Sequence, residues 1–360
     1  MSWVTLPVFL LLFGVMVLIH ESGHFLAARW CGVTVHEFAV GMGPVLARRR
    51  KNGVLYTIRA LPLGGFVKMA GTELVLEGEP APKKPGEKLF SELSCGRKIL
   101  IILSGPLNSL LCALLAFIFS AAVLGLPAQL QNDRAVVGFV EPNSPAYEAG
   151  LAVGDEIIAL NGQAISSWTQ LSAGLRKAAP GKLKMVIKRA EQIFVRELTP
   201  VFDPALQTAR LGLYPVYTVK KLPWPEAVRY GLNVTGRQLV AIPVSMVQML
   251  TGRVKPQFVG VIGMAGAVDQ ALKSGAYLFF TLVASVNLFL GAFNLLPIPL
   301  PLLDGGWIVI YLLEWLRKKE FKPEHKAAAQ AIGVVFIMAF YLTVVYNDLV
   351  SVLRRLWPKG

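Results

Sequence analysis

Apolar residues in this sequence gather in long runs. Four segments, about 4–28, 99–126, 276–297 and 328–347, each carry roughly 17 to 25 mostly apolar residues, a length that crosses a bilayer as a helix. The rest of the chain is mixed or polar. The pattern predicts a polytopic α-helical membrane protein with four transmembrane helices.

Two stretches between these runs have the pattern of strands. Residues 35–70 contain "VHEFAVGMGPVLARR" and "VLYTIRALPLGGFVKM", which predict strands bent at glycines. Residues 127–203 contain the alternating stretches "RAVVGFVEP" and "KLKMVIKRA", with "NG" and "PG" turns and a short helix near Trp168 to Lys177. This second stretch predicts a small α+β domain between the second and third spans.

The segment 204–275 has apolar positions at helical spacing that Arg229, Arg237 and Pro243 interrupt. An amphipathic helix lying on the membrane surface fits this pattern better than another span, and a kinked span is the alternative. The stretch "EGEPAPKKPGEK", residues 77–88, predicts a loop.

Composition and charge support the membrane class and suggest a topology. The mean hydropathy is +0.54, and 16% of the residues are charged, which argues against an ordinary soluble protein. The net charge of +14 is concentrated in loops, so we expect no nucleic-acid partner. Between Arg29 and Lys98 there are 12 Lys and Arg residues against six Glu, and five more basic residues link the last two predicted spans.

Basic loops of membrane proteins face the cytoplasm. We therefore expect residues 29–98 and 317–326 on the cytoplasmic side, and both termini and residues 127–275 on the extracytoplasmic side. The first run has no basic stretch before it and no small-residue cleavage site after it, so we expect a retained span. Three cysteines, Cys31, Cys95 and Cys112, predict no disulfide framework.

A zinc-protease signature lies inside the first predicted span. It reads His20-Glu21-Ser22-Gly23-His24. Residues four apart share a helix face, so both imidazoles can bind one metal ion with Glu21 beside them as general base. Ionisable side chains in a span are costly and indicate function; the alternative is that both histidines only form hydrogen bonds within their helix.

A catalytic zinc needs a third protein ligand. The other histidines, His36 and His325, lie in predicted cytoplasmic loops. "FNLLPIPLPLLDGGW", residues 293–307, ends the third span with a proline-rich break and an acid, Asp304. We expect Asp304 to supply the third ligand; a simple Asp-Gly turn is the alternative.

Residues 137–168, "VGFVEPNSPAYEAGLAVGDEIIALNGQAISSW", resemble a PDZ domain of the bacterial protease type. PDZ domains bind extended peptides by strand addition, and a spacer that binds nothing is the alternative. With this insert, HESGH in the first span, "GMGP", "LPLGGFVKM", "SGPLNS" and "VNLFLGAFNLLPIP…LDGG" resemble, in order, the site-2 protease family of intramembrane zinc metalloproteases, RseP-like type with a single PDZ domain.

This resemblance covers nearly the whole chain and implies one catalytic Zn²⁺. Its ligands are His20, His24 and Asp304, its base is Glu21, and Asn287 and Asn294 position the substrate. The chain is two residues longer than the family pattern just before Asp304, which affects the alignment of Asn294 more than that of Asp304.

The resemblance also implies a protease of the bacterial cytoplasmic (inner) membrane that cleaves transmembrane segments. Its substrates are a pre-cleaved anti-sigma factor or signal-peptide remnants, and peptide or substrate tails bind the PDZ domain. In relatives, the region matching residues 35–70 forms a membrane-dipping β element near the site, and a plain cytoplasmic hairpin is the alternative. The same residues leave two other functions open, an inactive membrane PDZ scaffold and a transporter.

Overall fold

The chain divides into two compact units. The structure is a computed structural model, and it describes residues 4–72, 85–129, 134–141, 144–177, 181–203, 208–253, 260–298 and 303–356. Unit 1 comprises residues 1–124 and 222–360, and unit 2 comprises residues 125–221. Most of the predicted loop 77–88, and the prolines at 299 and 301, lie outside the described residues.

Unit 1 consists of long helices and one β-hairpin. The bounds of its helices are α1 Thr5–Trp30, α2 Cys95–Phe119, α5 Trp224–Leu250, α6 Val261–Ser274, α7 Ala276–Asn294, α8 Asp304–Arg317 and α9 Pro323–Leu356. A π-helical turn, Ser120–Leu124, extends α2. Among the described helices, α1, extended α2 and α7 are long and apolar enough to cross a membrane, so the protein is a multi-pass membrane protein.

The remaining two membrane segments of the prediction are helical. The fourth predicted span, 328–347, lies within α9, and its crossing of the membrane stays a prediction. The helix α5 has Pro243 in its interior and packs on α2 where Gly231 faces Leu114 and Ile118. Its position on the membrane surface also stays a prediction.

Small residues allow α1 and α2 to pack at backbone contact. A Cβ atom added to Gly23 would overlap the carbonyl oxygen of Ser104, and one added to Gly105 would overlap the imidazole of His24. Beside this crossing, Asn108 Nδ2 donates hydrogen bonds to the Ile19 carbonyl at 2.5 Å and to the Ser22 hydroxyl at 3.0 Å. Residues 104–109, "SGPLNS", therefore allow close packing of α2 on α1.

The predicted strands of residues 35–70 form one long hairpin. Its strands are β1 Val35–Lys51 and β2 Val54–Met69, joined through Asn52 and Gly53. Both turn residues have positive φ, 49° and 82°, as a tight Asn-Gly hairpin turn requires.

The hairpin folds back on itself to make a four-segment sheet. Residues 45–51 pair with 54–59, residues 35–40 pair with 65–69, and residues 37–40 have a second set of partners at 55–58. The spatial order is therefore 65–69, 35–40, 54–59 and 45–51. We call residues 65–69 the inner edge segment and residues 45–51 the outer edge segment.

Aromatic packing attaches this sheet to α1. The ring of Phe25 lies 5.2 Å from that of Phe38 and 6.0 Å from that of Tyr56. Arg59 fixes the bend, because its guanidinium donates to the Gly43 carbonyl at 3.0 Å and to the Glu37 carboxylate at 2.8 Å.

Unit 2 is rich in short strands. The elements are β3 Leu126–Gln129, β4 Val137–Val140, α3 Pro145–Glu148, β5 Glu156–Leu160, β6 Gln163–Ala164, α4 Trp168–Lys177, β7 Leu183–Arg189, β8 Gln192–Leu198, β9 Val201–Asp203, β10 Thr208–Arg210, β11 Leu213–Pro215 and β12 Tyr217–Lys220. The sheet order β6-β5-β7-β8 is flanked by the pairs β4-β11, β3-β12 and β9-β10. Because β11 and β12 return to the first strands, the unit extends to residue 221 rather than ending at 203, and only α5 and α6 of the expected segment 204–275 belong to unit 1.

A buried aspartate paired with a largely exposed arginine links several segments of unit 2. The carboxylate of Asp155, which is 0% exposed, accepts hydrogen bonds from Arg189 at 2.6 and 2.9 Å and from the Ala152 N–H at 2.9 Å. Burial alone raises the pKa of Asp155, but these donors outweigh it and hold that pKa below its ordinary value.

We predict that Asp155→Asn lowers the stability of unit 2 by about 2 kcal/mol near neutral pH, because it leaves Arg189 without its carboxylate. The folded-state pKa is depressed, so this stabilisation is present above the unfolded value of about 3.9 and is lost as the pH falls through the folded value. Hydrogen exchange of β7 in the full chain measures both effects. As a control, Glu141→Gln removes an exposed 3.4 Å pair with Arg210 and should cost under about 0.5 kcal/mol; equal losses in the two variants would contradict the prediction.

Candidate active site

Two helices bring the predicted metal ligands together. His20 and His24 lie one turn apart on α1, and Asp304 is the first residue of α8. His20 Nε2 is 3.2 Å from Asp304 Oδ2, and His24 Nε2 is 3.5 Å from Asp304 Oδ1. One potential ligand atom from each residue lies within 4.8 Å of the others, so a single ion can contact all three.

The remaining ring nitrogens are held from α2. His24 Nδ1 lies 2.9 Å from the carbonyl oxygen of Ile101, and His20 Nδ1 lies 3.0 Å from the hydroxyl of Ser109. A carbonyl oxygen only accepts hydrogen bonds, so His24 Nδ1 carries the proton, and Nε2, on the side of Asp304, is the ring atom that would bind a metal ion. Second partners of this kind are typical of metal-binding histidines.

The environment of Asp304 also fits a cation. Its side chain is 18% exposed, and those of His20 and His24 are 9% and 12% exposed. Within the described part of the chain, buried Asp304 Oδ2 has no hydrogen-bond donor in suitable geometry. One carboxylate facing two imidazole nitrogens, each through a different oxygen, is the ligand set of a catalytic zinc site with three protein ligands.

Glycines shape both sides of this cluster. A Cβ atom at Gly105 would overlap His24 Nε2, and one at Gly305 would overlap the Leu296 carbonyl oxygen at the end of α7. Gly105 thus makes room for the imidazole, while Gly305 lets α8 begin close to the end of α7. The two-residue insertion, placed between Asn294 and Pro299 in the alignment to the family pattern, does not keep Asp304 from reaching both histidines.

Glu21 lies between the metal cluster and the β-sheet. It follows His20 on α1, and a Cβ atom at Gly65 would lie 2.9 Å from Glu21 Cγ and 2.8 Å from a methyl group of Val17. The backbone of the inner edge segment therefore passes directly beside the predicted general base. The role of Glu21 as a base stays a prediction.

The two predicted asparagines are placed on α7. Asn287 is fully buried and donates to the Val283 carbonyl of its own helix at 2.9 Å, and its buried Oδ1 lacks a partner among the described residues. Asn294 is the last residue of α7 and is half-buried. Substrate positioning by either residue stays a prediction.

Sequence reasoning missed two contributors to the site. Ser109 belongs to the "SGPLNS" stretch, whose small and polar residues do not indicate contact with a particular histidine. The Ile101 carbonyl is a backbone group with no side-chain signal, although Ser104 and Pro106 nearby mark an irregular helix. Ser104 Oγ donates to this same carbonyl at 2.6 Å.

Comparisons with known proteins match this arrangement. A family model described as Peptidase family M50 matches residues 8–340, which include the metal cluster. Zinc metalloprotease RasP of Bacillus licheniformis is 27% identical over 419 residues, covering 96% of this chain and 98% of that protein. Regulator of sigma-W protease RasP of Bacillus subtilis is 26% identical over 419 residues, with the same coverage.

Among solved structures, the PDZ domain of an SdrC-like protein from Listeria monocytogenes is 21% identical and covers 25% of this chain and 94% of that one, with a TM-score of 0.22. The family match spans most of the chain and contains the cluster that fits zinc. The chain is therefore a zinc metalloprotease that belongs to peptidase family M50.

Proposed function

We propose that this protein cleaves the transmembrane segments of other membrane proteins, with Glu21 as the general base. One observation carries the proposal: His20, His24 and Glu21 lie in α1, a helix apolar enough to cross a membrane, and Asp304 of α8 meets the two histidines there. Ionisable groups are costly in such a helix. A protease for soluble peptides needs no site of this kind.

The roles of the residues follow from their positions. His20, His24 and Asp304 would hold the zinc ion, which acts as a Lewis acid and makes water nucleophilic near neutral pH. Glu21 takes the proton from the attacking water and passes it to the amide nitrogen of the leaving group. Ser109 and the Ile101 carbonyl keep the imidazoles in the orientation that presents Nε2.

Substrate must be extended before it is cut, because a helix hides its carbonyl groups in its own hydrogen bonds. The inner edge segment is paired on one side only, so its other side is an edge of the sheet, and its backbone lies beside Glu21. An unwound substrate strand that pairs with this edge would satisfy its freed backbone groups and bring a peptide bond to the metal. Asn287 and Asn294, on α7, would steady its backbone.

We infer the membrane arrangement from charge. The basic stretches 29–98 and 317–326 would face the cytoplasm, with both termini and unit 2 on the extracytoplasmic side. In this arrangement α9 supplies the fourth span, the bacterial cytoplasmic membrane is the location, and the lipid bilayer surrounds the site. Substrates are transmembrane proteins of the type of a pre-cleaved anti-sigma factor, or signal-peptide remnants; the B. subtilis relative is named a regulator of sigma-W protease.

Unit 2 would restrict which substrates are admitted. It contains a groove of about 280 Å³ between α4 and the end of β10 through β11. The lining residues include Trp168, Leu171, Leu175 and Leu213, an apolar surface suited to a side chain of an extended substrate tail. We propose that the bulk of the unit excludes substrates with large outer domains until another protease has trimmed them.

The inactive-scaffold alternative required that the insertion before Asp304 displace this acid. Asp304 instead lies 3.2 and 3.5 Å from the two imidazoles. The transporter alternative has no use for a zinc cluster of this composition. Neither alternative is supported by an observation of its own.

We predict that Glu21→Gln lowers cleavage of a model transmembrane substrate by about 10²- to 10⁴-fold while zinc stays bound, because only the base is lost. Asp304→Asn should instead weaken zinc binding by more than about 100-fold. Metal analysis of purified protein together with a cleavage assay separates the two effects. Equal activity in wild type and Glu21→Gln would refute the function, and full zinc retention in Asp304→Asn would refute that ligand.

A second prediction concerns the glycine that makes room for His24. Gly105→Ala should reduce zinc affinity by about 10- to 100-fold, because its methyl group displaces the imidazole. Gly96→Ala, in the same helix, is the matched control, since a Cβ atom there has no neighbour within 4 Å. Competition with a chelator measures both affinities. If both variants hold zinc equally well, Gly105 is not the residue that makes room for His24 at the metal site.

A third prediction tests whether unit 2 excludes substrates that have large outer domains. Deletion of residues 125–221, the whole of unit 2, should permit cleavage of an untrimmed substrate. Ser172→Trp keeps the bulk of unit 2 but fills its groove, so it should preserve exclusion. Cleavage of trimmed and untrimmed substrates is compared in both variants. Unchanged selectivity after the deletion would refute exclusion by unit 2. A loss of selectivity in Ser172→Trp would show that selectivity depends on peptide binding in the groove rather than on bulk.

A further inference from the structure

Four consecutive cations lie on the outer edge segment, and the proposed chemistry does not use them. Arg48, Arg49, Arg50 and Lys51 are all exposed. Within the described residues, none of the four has a carboxylate at ion-pair distance, whereas Arg59 of the neighbouring segment is paired with Glu37 at 2.8 Å. Adjacent like charges repel, so a run of this kind favours an anionic partner.

Exposed apolar side chains immediately precede this run. Met42, Val45 and Leu46 are 52%, 44% and 69% exposed, and Ile58 and Leu61 on β2 are 57% and 55% exposed. Val45 and Ala47 are the register partners of Arg59 and Ile58, and Met42 is the partner of Leu61. Several exposed apolar side chains therefore lie near the bend of the hairpin, next to the cationic run.

This combination has the chemistry of a membrane interface. Apolar side chains are stable at the depth of the acyl chains, while arginine and lysine bind the phosphate groups above them. Arginine also offers two parallel N–H donors to a phosphate. An acidic protein partner would account for the charges but would leave the adjoining apolar surface unexplained.

We propose that the outer edge segment binds the headgroups of anionic phospholipids through Arg48, Arg49, Arg50 and Lys51. The chain already crosses the membrane through α1, to which this sheet is attached by Phe25, so lipid is within reach of the hairpin. The binding does not depend on proteolysis.

The position of the run in the sheet gives this binding a consequence. Three strand spacings separate the outer from the inner edge segment, about 14 Å in all. Lipid held at the outer edge would therefore restrain the strand that passes Glu21. This consequence rests on the proposed function, whereas the lipid binding stands without it.

The test uses the full chain, purified in detergent and stripped of lipid, and titrated with phosphatidylglycerol or phosphatidylcholine while bound lipids are counted by native mass spectrometry. The variant R48Q/R49Q/R50Q/K51Q should bind phosphatidylglycerol at least about tenfold more weakly than wild type. Phosphatidylcholine binding should be unchanged. The matched control K182Q/K184Q/K220Q/K221Q removes four exposed charges from unit 2 and should keep wild-type affinity.

Zinc content reports whether each variant is folded, and R50Q/K51Q at the turn provides a milder test if the fourfold variant loses zinc. Wild-type affinity for phosphatidylglycerol in the hairpin variants would overturn the proposal. An equal loss in the control would also overturn it, because the effect would then be one of net charge. If polyglutamate binds only when the cationic run is present, and phosphatidylglycerol binds no better than phosphatidylcholine, the ligand of the run is an acidic polypeptide instead. Loss of cleavage in Glu21→Gln with lipid binding intact keeps the two proposals separate.

Discussion

The contact between α1 and α2 is the constraint on which the metal site depends. Helices in a bilayer gain little from burying apolar surface against each other, so they associate through close packing and hydrogen bonds. Here Gly23 and Gly105 remove the side chains that would separate the two backbones. Because the backbones meet, α2 can supply the partner of each imidazole, a hydroxyl to His20 and a carbonyl to His24.

The same contact explains how polar groups are accommodated in an apolar helix. Unpaired polar groups are costly away from water, and each group must find a partner within the protein. Asn108 bonds to the backbone and to Ser22 on α1, and the histidines face Asp304 from α8. The one orphaned acceptor of the cluster, Asp304 Oδ2, is the atom that a zinc ion would satisfy.

The sequence predicted the parts of this site whose signal is local. The spacing of His20 and His24 defines a helix face, and Asp304 is marked by a break in an apolar run. Strands with glycine bends were also predictable for residues 35–70, since the Asn52-Gly53 turn and alternation are short-range signals. The metal-ligand roles and Glu21's role rest on these patterns and on the family, and remain predictions at the level of individual residues.

What the sequence did not predict depends on tertiary contacts. The fold-back of the hairpin places residues 37–40 against 55–58, a pairing that no turn signal specifies. The extension of unit 2 to residue 221 arises from β11 and β12, three and four residues long, which are too short to show a period. Contacts of Ser109 and the Ile101 carbonyl depend on how two helices cross, and periodicity along one helix contains no information about that.

These tertiary features also resolve the conflict between an apolar location and a reaction that needs water. Lipid cannot satisfy an unwound substrate, and water alone cannot keep it beside the metal. The fold-back leaves residues 65–69 at the edge of the sheet, while Gly65 allows this strand to touch the helix that contains Glu21. A side chain at residue 65 would push the strand away from Glu21, so an edge with no side chain at this one position can present its backbone next to that carboxylate. In the proposed mechanism the two elements therefore have complementary tasks, because α1 provides the histidines and Glu21 and the hairpin edge would pair with the unwound substrate.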